Sequence, residues 1–387
     1  MSKRLAIVTT HPIQYNSPWF KCLSESVNIE LKVFFTWGQS ESRVINDNGF
    51  GIPIEWDIPL LEGFEYCFIN NISKHPGSHH FKGIKNPTLI NEIKNWGPDV
   101  ILINGWNFTS HLSCMRYFKE KLPVLFRGDS NLLDEKGFLK NVARYILLNW
   151  VYRFADYALY VGKANKQYYL NYGLKESQLY FVPHAIDNER FGQEDCTMYE
   201  KIRKKKQELG INESAFVYLF AGKLEKKKNP ELLIKAFQKL SNNAHLVIVG
   251  NGILEPELKR KYTEGNIHFL DFQNQSIMPL IYRIGDVFIL PSSGPGETWG
   301  LAVNEAMACG RPVIVSDKCG CAADLVEDGK NGYVFKSGSE SDLLNKMKLM
   351  NDKNRMREMG QQSKRYIQDW SILKIRKNIE NVVLTKC

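Results

Sequence analysis

The stretch PSSGPGETWGLAVNEAMACG, residues 291–310, decides the fold of this chain. It follows the apolar run VFIL (287–290) and precedes a second one, RPVIVS (311–316). A loop rich in Pro, Ser and Gly that gives way to the helical pattern GLAVNEAMA predicts a strand, a loop, a helix and a second strand in that order. Such units are typical of α/β proteins with a parallel sheet.

The predicted helix begins at Gly300 and Leu301, and its first backbone N–H groups have no partner within the helix. The helix dipole is positive at this end, which makes the turn a site for an anion such as phosphate. Glu297 lies before the turn and Glu305 lies eight positions beyond Glu297. The two carboxylates are placed to bind hydroxyl groups at the two ends of a nucleotide-sugar.

A plainer interpretation of the two glutamates is open, because paired glutamates often lie on solvated helix faces. Two features favour a functional one. Glu305 lies in an otherwise apolar helix, where a buried carboxylate needs a partner. Glu297 lies in a loop, where functional residues concentrate.

The segment GETWGLAVNEAMACGRPV (296–313) resembles the retaining glycosyltransferases of the glycosyl transferases group 1 family. The resemblance implies a GT-B fold, an α/β architecture of two Rossmann-like doubly wound domains that face each other across a cleft. It also implies that Glu297 holds donor-sugar hydroxyls near the reacting carbon. Gly300 and Leu301 are then expected to donate backbone N–H groups to the diphosphate, and Glu305 to bind the ribose.

Length and composition agree with two globular domains. The 387 residues are 43% hydrophobic, yet no window is long and apolar enough to span a membrane. The start MSKRLAIVTTHPIQY indicates a first strand and not a signal peptide. The eight cysteines are scattered without metal-type spacing, so we expect reduced thiols in a cytoplasmic protein.

The formal charge of +9 has three explanations: anionic nucleotide-sugars, an anionic membrane surface or nucleic acid. The basic runs 203–206 and 226–228 lack interleaved aromatic residues, so nucleic acid is not expected as a partner. No acidic pair of DxD type falls at a strand end, and we therefore expect no obligatory metal and no cofactor besides the nucleotide-sugar as co-substrate.

The strand pattern in the first half of the chain predicts a ligand site, which we call the mouth, at the carboxyl ends of the strands, where open α/β sheets bind ligands. His11 follows the first strand and is a candidate for that mouth, although a structural histidine held by the loop backbone is equally open. The strand PVLFRG (123–128) resembles one that in the family commonly ends in a histidine near the reacting sugar. Arg127 and Asp129 stand there instead. Arg127 is a candidate to brace phosphate or to neutralise Asp129, and Asp129 to accept a proton from the acceptor.

The second half restarts with the strand VYLFAG and a basic loop. In the family this loop carries an Arg and a Lys that grip the donor diphosphate, and Lys223 and Lys228 match those positions. The segment VPHAIDNERF resembles the family's linker. We therefore predict an acceptor-side domain over 1–190, a nucleotide-sugar-binding domain over 191–367, and a final helix, 368–387, that crosses back.

One helix of the first domain has two interpretations. Residues 138–155, FLKNVARYILLNWVYRFA, are amphipathic and aromatic. We expect this face to pack in the core, with a membrane-facing helix as the alternative.

The resemblance implies transfer of a sugar from a nucleotide-sugar to a glycan or lipid-linked acceptor, as in bacterial surface polysaccharide assembly. The location implied is the cytoplasm, with peripheral contact to the inner face of the membrane as an option. Two alternatives stay open: a GT-B nucleotide-sugar epimerase, and a non-catalytic nucleotide-sugar-binding protein.

Overall fold

The computed structural model describes residues 2–37, 44–47, 52–134, 137–240 and 243–387. The chain divides into two compact units. The first unit comprises Met1–Ser42, Pro59–His184 and Ile372–Cys387, and the second comprises Arg43–Ile58 and Ala185–Ser371.

The elements are numbered in chain order. The strands are β1 Lys3–Thr9, β2 Ile29–Phe35, β3 Val44–Asp47, β4 Ile52–Glu55, β5 Glu65–Phe68, β6 Val100–Asn104, β7 Val124–Arg127, β8 Tyr157–Tyr160, β9 Leu179–Phe181, β10 Phe216–Ala221, β11 Ala244–Val249, β12 Ile267–Leu270, β13 Val287–Leu290, β14 Val313–Ser316 and β15 Gly332–Phe335.

The helices are α1 Ser17–Ser24, α2 Leu89–Trp96, α3 Thr109–Phe118, α4 Phe138–Tyr152, α5 Lys163–Asn171, α6 Asn188–Gly192, α7 Met198–Glu208, α8 Pro230–Gln238, α9 Glu255–Lys261, α10 Met278–Ile284, α11 Leu301–Ala308, α12 Ala322–Leu325, α13 Glu340–Leu349, α14 Lys353–Tyr366 and α15 Ile372–Lys386. Short 3₁₀ turns cover Phe81–Gly83, Glu176–Gln178, Lys226–Lys228 and Ile367–Asp369.

The first unit is built on a parallel seven-stranded sheet in the order β5-β2-β1-β6-β7-β8-β9. Its central strands are continuous apolar runs that are completely buried, such as VILI in β6. Strands of this kind need cover on both faces, which the crossover helices supply. The order reverses beside β1, and ligand sites of doubly wound sheets lie outside the carboxyl ends of the strands near such a reversal.

The second unit has a parallel six-stranded sheet in the order β12-β11-β10-β13-β14-β15. Here too the order reverses next to the first strand of the sheet, β10. The loops after β10, β11, β13 and β14 therefore leave the same edge of the sheet. The prediction of two Rossmann-like α/β domains is confirmed by these two sheets.

The unit boundaries differ in detail from the sequence prediction. The main change from the first unit to the second falls after His184, where the sequence analysis placed it after 190, and the return to the first unit falls after Ser371. Within the first unit, α15 is held by hydrogen bonds from Arg376 to the Glu25 carbonyl at 3.3 Å and from Asn378 to the Phe181 carbonyl at 2.8 Å.

Residues 43–58 were predicted as part of the first domain, but their contacts place them in the second unit. The reason is a set of hydrogen bonds to the loop after β12. Ser276 donates its backbone N–H to the Asp57 carboxylate at 3.1 Å, and Asp57 donates its own N–H to Asn274 Oδ1 at 3.3 Å. The Trp56 and Phe272 rings also meet edge to face, with centroids 6.0 Å apart.

Candidate functional site

The turn between β13 and α11 is shaped by Gly300. This residue caps the N-terminus of α11 with φ 103° and ψ 58°. Residues other than glycine rarely adopt this left-handed backbone conformation. A Cβ at this position would lie 3.0 Å from Leu290 Cδ2 and 3.5 Å from Cys321 Sγ. The first N–H groups of the helix, beginning at Leu301, have no acceptor within the helix, which makes this turn a candidate anion site.

Glu297 lies in this loop and is buried, at 8% exposure. Its Oε2 accepts a hydrogen bond from Ser292 Oγ at 2.8 Å and lies 2.6 Å from Lys228 Nζ. The backbone N–H of Gly320 donates to the Glu297 carbonyl at 3.1 Å. The carboxylate is therefore held by one hydroxyl donor and balanced by one lysine, and the Glu297 backbone is held by Gly320.

Two loops that are distant in sequence meet at this point. Lys228 ends the short 3₁₀ turn after β10, and the neighbouring Lys227 carbonyl accepts the backbone N–H of Ser293 at 2.7 Å. This bond ties the basic loop to the glycine-rich loop. Lys223 is half-buried and lies in the same basic loop, directly after Gly222. The structure thus brings the predicted Lys228 and Glu297 together.

Glu305 lies in the second turn of α11 and is 3% exposed. Its Oε2 accepts a hydrogen bond from the Tyr282 hydroxyl at 2.7 Å. The expectation that a buried Glu305 has a partner is confirmed. Sequence reasoning missed Tyr282 because the apolar pattern of α10 marks every large side chain in it as core.

Buried side chains around Trp299 support the glycine-rich loop. Trp299 donates its indole N–H to Asn304 Oδ1 at 2.9 Å, and its ring lies 5.1 Å from that of Trp370. The Trp299 carbonyl accepts the N–H of Cys321 at 3.0 Å. Since Trp299, Asn304 and Trp370 are all buried, the loop is held rigidly before α11 begins. No sequence pattern pointed to this support.

Tight glycine contacts bring the neighbouring loops together. A Cβ on Gly250 would lie 2.2 Å from the Gly222 carbonyl oxygen, and one on Gly252 would lie 2.6 Å from that of Leu224. Asn251, between these glycines, accepts the N–H of Phe272 at 2.6 Å. The loops after β10 and β11 therefore pack backbone against backbone at the carboxyl edge of the sheet, and the Asn251 side chain joins them to the loop after β12.

Two buried cysteines line the floor of the site. Burial raises the pKa of the Cys319 thiol to about 12, and it raises that of Cys321 well above its usual value. The nearby Glu297 carboxylate acts in the same direction. Both thiols are therefore protonated at neutral pH and are poor nucleophiles. Each of the eight cysteines is a free thiol.

The first unit contains the other predicted site residues. Arg127 is buried and donates to the carbonyls of Val182 at 2.6 Å and Pro183 at 2.9 Å. Burial lowers its pKa to about 10. These bonds fix the backbone of the segment that follows β9, which contains Val182 and Pro183.

Asp129 lies beside a histidine that sequence reasoning did not single out. Its Oδ2 is 3.6 Å from His184 Nε2, and the carboxyl is 44% exposed. Burial lowers the pKa of His184, and the nearby Arg127 adds to that effect, while Asp129 opposes it. His11 is half-buried, and its ring meets that of Trp37 edge to face at 5.0 Å.

A cavity of about 540 Å³ opens at the carboxyl ends of β6 and β7. Gly128, Asp129 and Ser130 form its polar side, and α4 forms an apolar wall through Leu147 and Leu148. Its dimensions suit part of an organic ligand. Asp129 thus reaches an accessible cavity, whereas the Arg127 guanidinium is engaged by the backbone.

The described part of the chain contains neither a metal-ligating cluster nor a membrane-spanning helix. Within those ranges no three His, Cys, Asp or Glu side chains are grouped closely enough to hold a metal ion. The same residues contain no helix that is both long and apolar enough to cross a membrane.

The family model for "Glycosyl transferases group 1" matches residues 201–366. The chain is 26% identical over 249 residues to the N,N'-diacetylbacillosaminyl-diphospho-undecaprenol alpha-1,3-N-acetylgalactosaminyltransferase of Campylobacter jejuni, covering 61% of this chain and 64% of that protein. It is also 26% identical over 245 residues to the alpha-monoglucosyldiacylglycerol synthase of Acholeplasma laidlawii, covering 57% and 59%. The chain thus spans about three-fifths of the length of these two relatives.

Among solved structures, the Anabaena protein HepE in complex with UDP-glucose superposes with a TM-score of 0.73 at 17% identity, covering all of both chains. This likeness shows the fold, which is GT-B. The matched residues 201–366 include the glycine-rich loop, α11 and the basic loop. Over these residues of the second unit, the chain is similar to the glycosyl transferases group 1 family.

Proposed function

We propose that the chain is a retaining glycosyltransferase that moves a sugar from a nucleoside diphosphate sugar to a glycan or lipid-linked acceptor. The observation that carries the proposal is the meeting of Glu297 and Lys228, 2.6 Å apart, at the glycine-capped N-terminus of α11. This arrangement combines a carboxylate that can hold sugar hydroxyls with donors that can hold a diphosphate.

In the proposed donor complex the diphosphate lies against the N–H groups that begin at Gly300 and Leu301. Lys228 and Lys223 supply the positive charges, and the helix dipole adds a fixed partial charge. Glu305 binds the ribose hydroxyls while Tyr282 orients its carboxylate through the 2.7 Å hydrogen bond. The family resemblance and the UDP-glucose complex named for HepE support this assignment.

The reaction breaks the bond between the anomeric carbon and the diphosphate, so negative charge grows on the departing oxygen. Lys228, Lys223 and the helix terminus stabilise that charge because they are already oriented toward it. Glu297 binds sugar hydroxyls and fixes the anomeric carbon. The proposal assigns no obligatory metal, since two lysines and a helix terminus take that role.

The acceptor is proposed to bind the cavity of the first unit, where the partly exposed Asp129 is a candidate to take the acceptor's proton. The names of the two curated relatives contain a diphospho-undecaprenol and a diacylglycerol. They support a lipid-linked acceptor and a cytoplasmic protein that meets the membrane peripherally.

Calorimetric titration with UDP, ADP and GDP tests the donor site directly. We expect one nucleoside diphosphate to bind, Glu305→Ala to weaken that binding, and Glu297→Ala to reduce turnover more than binding. Equal affinity in wild type and Glu305→Ala would refute the ribose assignment.

The same preparation distinguishes the remaining alternatives. An epimerase would incorporate solvent deuterium into the donor sugar when no acceptor is present. A non-catalytic binding protein would bind the donor yet transfer nothing to a set of lipid-linked acceptors.

A further inference from the structure

We propose that the N-terminal half of α4 docks the protein on an anionic lipid surface. The prediction of core packing for this helix is wrong for its first ten residues, because only Leu148, Val151 and Tyr152 of α4 are buried. The large apolar side chains before them are exposed: Phe138 at 80%, Leu139 at 81%, Val142 at 44%, Tyr145 at 52%, Ile146 at 66% and Leu147 at 45%.

Five of these six side chains, all except Leu147, form one continuous stripe. Residues 138, 142 and 145 follow helical spacing, as do 139, 142 and 146, so they share one face of the helix. Scattered apolar residues are normal on a protein surface, but a contiguous stripe marks an interaction surface.

The charge around the stripe selects an anionic lipid surface as the occupant. Between residues 138 and 154 the sequence contains Lys140, Arg144 and Arg153 and no acidic residue. Lys140 and Arg153 are exposed, while Arg144 donates to the Tyr168 hydroxyl at 3.0 Å. A helix with a polar, basic side and an apolar face lies in the plane of a membrane interface, and anionic lipids add an attraction for each nearby cation. The net charge of +9 acts in the same direction.

Docking through this stripe also orients the cavity of the first unit. The opposite side of α4 contributes Ala143, Leu147 and Leu148 to the cavity wall that faces Asp129. A helix bound in the interface therefore holds that cavity next to the lipid headgroups. The docking surface rests on the peripheral membrane contact in the proposed function, but it does not depend on the donor assignment.

Vesicle co-sedimentation of the full chain tests the proposal. We expect binding to vesicles of phosphatidylcholine mixed with phosphatidylglycerol, and weaker binding to phosphatidylcholine alone or in high salt. Leu139→Ser with Ile146→Ser is expected to weaken binding at least about tenfold, because two large apolar side chains leave the interface. The variant is not expected to change the melting temperature, since both side chains are exposed.

Val27→Ser is the matched control, because Val27 is 88% exposed in the same unit but lies outside the stripe. It is expected to bind vesicles like the wild type. Equal vesicle binding by the wild type and the double variant would overturn the proposal. So would a wild-type chain that ignores vesicles and instead forms a dimer that the double variant abolishes, since a second copy would then be the occupant. A chain that binds a nucleoside diphosphate but not vesicles would refute the docking surface and leave the proposed donor site and transfer reaction standing.

Discussion

Lys228 Nζ lies 2.6 Å from Glu297 Oε2, and the two side chains are 16% and 8% exposed. Each charge thus depends on the other within a largely buried site. Lys228→Met leaves the carboxylate with Ser292 as its hydrogen-bond donor, and we expect a loss of about 3 kcal/mol in the free energy of unfolding. Denaturant unfolding of the purified variant measures it.

The double variant Lys228→Met with Glu297→Gln separates stability from function. It removes both charges, so we expect it to recover most of the unfolding free energy lost in the single variant. Sugar transfer is expected to stay abolished, because the groups that bind the donor are gone. Strictly additive losses in unfolding free energy would contradict a coupled pair.

Gly300 and Gly310 bracket α11 and allow a matched comparison. Both have positive φ, 103° and 68°, so alanine strains the backbone at either end. Only Gly300→Ala meets a close neighbour, Leu290 Cδ2 at 3.0 Å, whereas the contact nearest a Cβ on Gly310 is 3.8 Å away. We expect Gly300→Ala to destroy nucleoside diphosphate binding and Gly310→Ala to retain it, as measured by calorimetry. Loss of binding in both variants would mean that helix strain, and not the N-terminal turn, is responsible.

Tyr282 is expected to affect stability and nucleotide binding through its hydrogen bond to Glu305. Tyr282→Phe removes the hydroxyl that donates to the buried carboxylate, with a loss of about 1–3 kcal/mol in stability. Nucleotide binding should weaken as well, because the carboxylate is no longer oriented. Tyr218→Phe is the control, since that buried hydroxyl donates to the Met347 carbonyl at 3.0 Å within the same unit. Its stability should fall while its affinity for the nucleoside diphosphate stays unchanged.

Local sequence pattern was enough to predict two features of the candidate site. The glycine turn at Gly300 and the buried Glu305 follow from a loop and an apolar helix that are read directly from 291–310. Tyr282 could not be found in this way, because a tyrosine in an apolar helix looks like any core residue. The partner of Glu305 is determined by how α10 packs against α11, and a local sequence pattern does not show which helices pack together.

Long-range hydrogen bonds explain the other differences. Asp57 and Ser276 are 219 positions apart, and no pattern near either residue predicts that they meet. The prediction that α4 packs in the core was wrong for a different reason. An amphipathic pattern shows that one face is apolar but not what covers that face, so core packing and exposure fit the same residues, 138–155.

His111 is expected to make stability depend on pH. It is completely buried, with Nε2 2.7 Å from Thr36 Oγ1, and burial lowers its pKa to about 4. Below pH 6.5 the unfolded chain takes up a proton at this residue that the folded chain does not. Stability therefore falls as pH drops from 6.5 to about 4, by roughly 3 kcal/mol from this residue. Unfolding measured across that range should show a shallower pH slope in His111→Gln. Identical slopes in variant and wild type would contradict the assignment.

Asp129 provides the sharpest test of the acceptor side. Its carboxyl is 44% exposed and borders the cavity of the first unit, so Asp129→Asn should fold normally while losing its ability to accept a proton. A positioned general base contributes about 10²–10⁴-fold, and we expect kcat for transfer to fall by at least about a hundredfold. The affinity for the nucleoside diphosphate should not change, because the proposed donor groups lie in the second unit. Asp134→Asn, five residues further along the same loop, is the control and should transfer at the wild-type rate. A wild-type rate in Asp129→Asn would remove this residue from the mechanism and leave His11 and the neighbouring His184 as the groups to test.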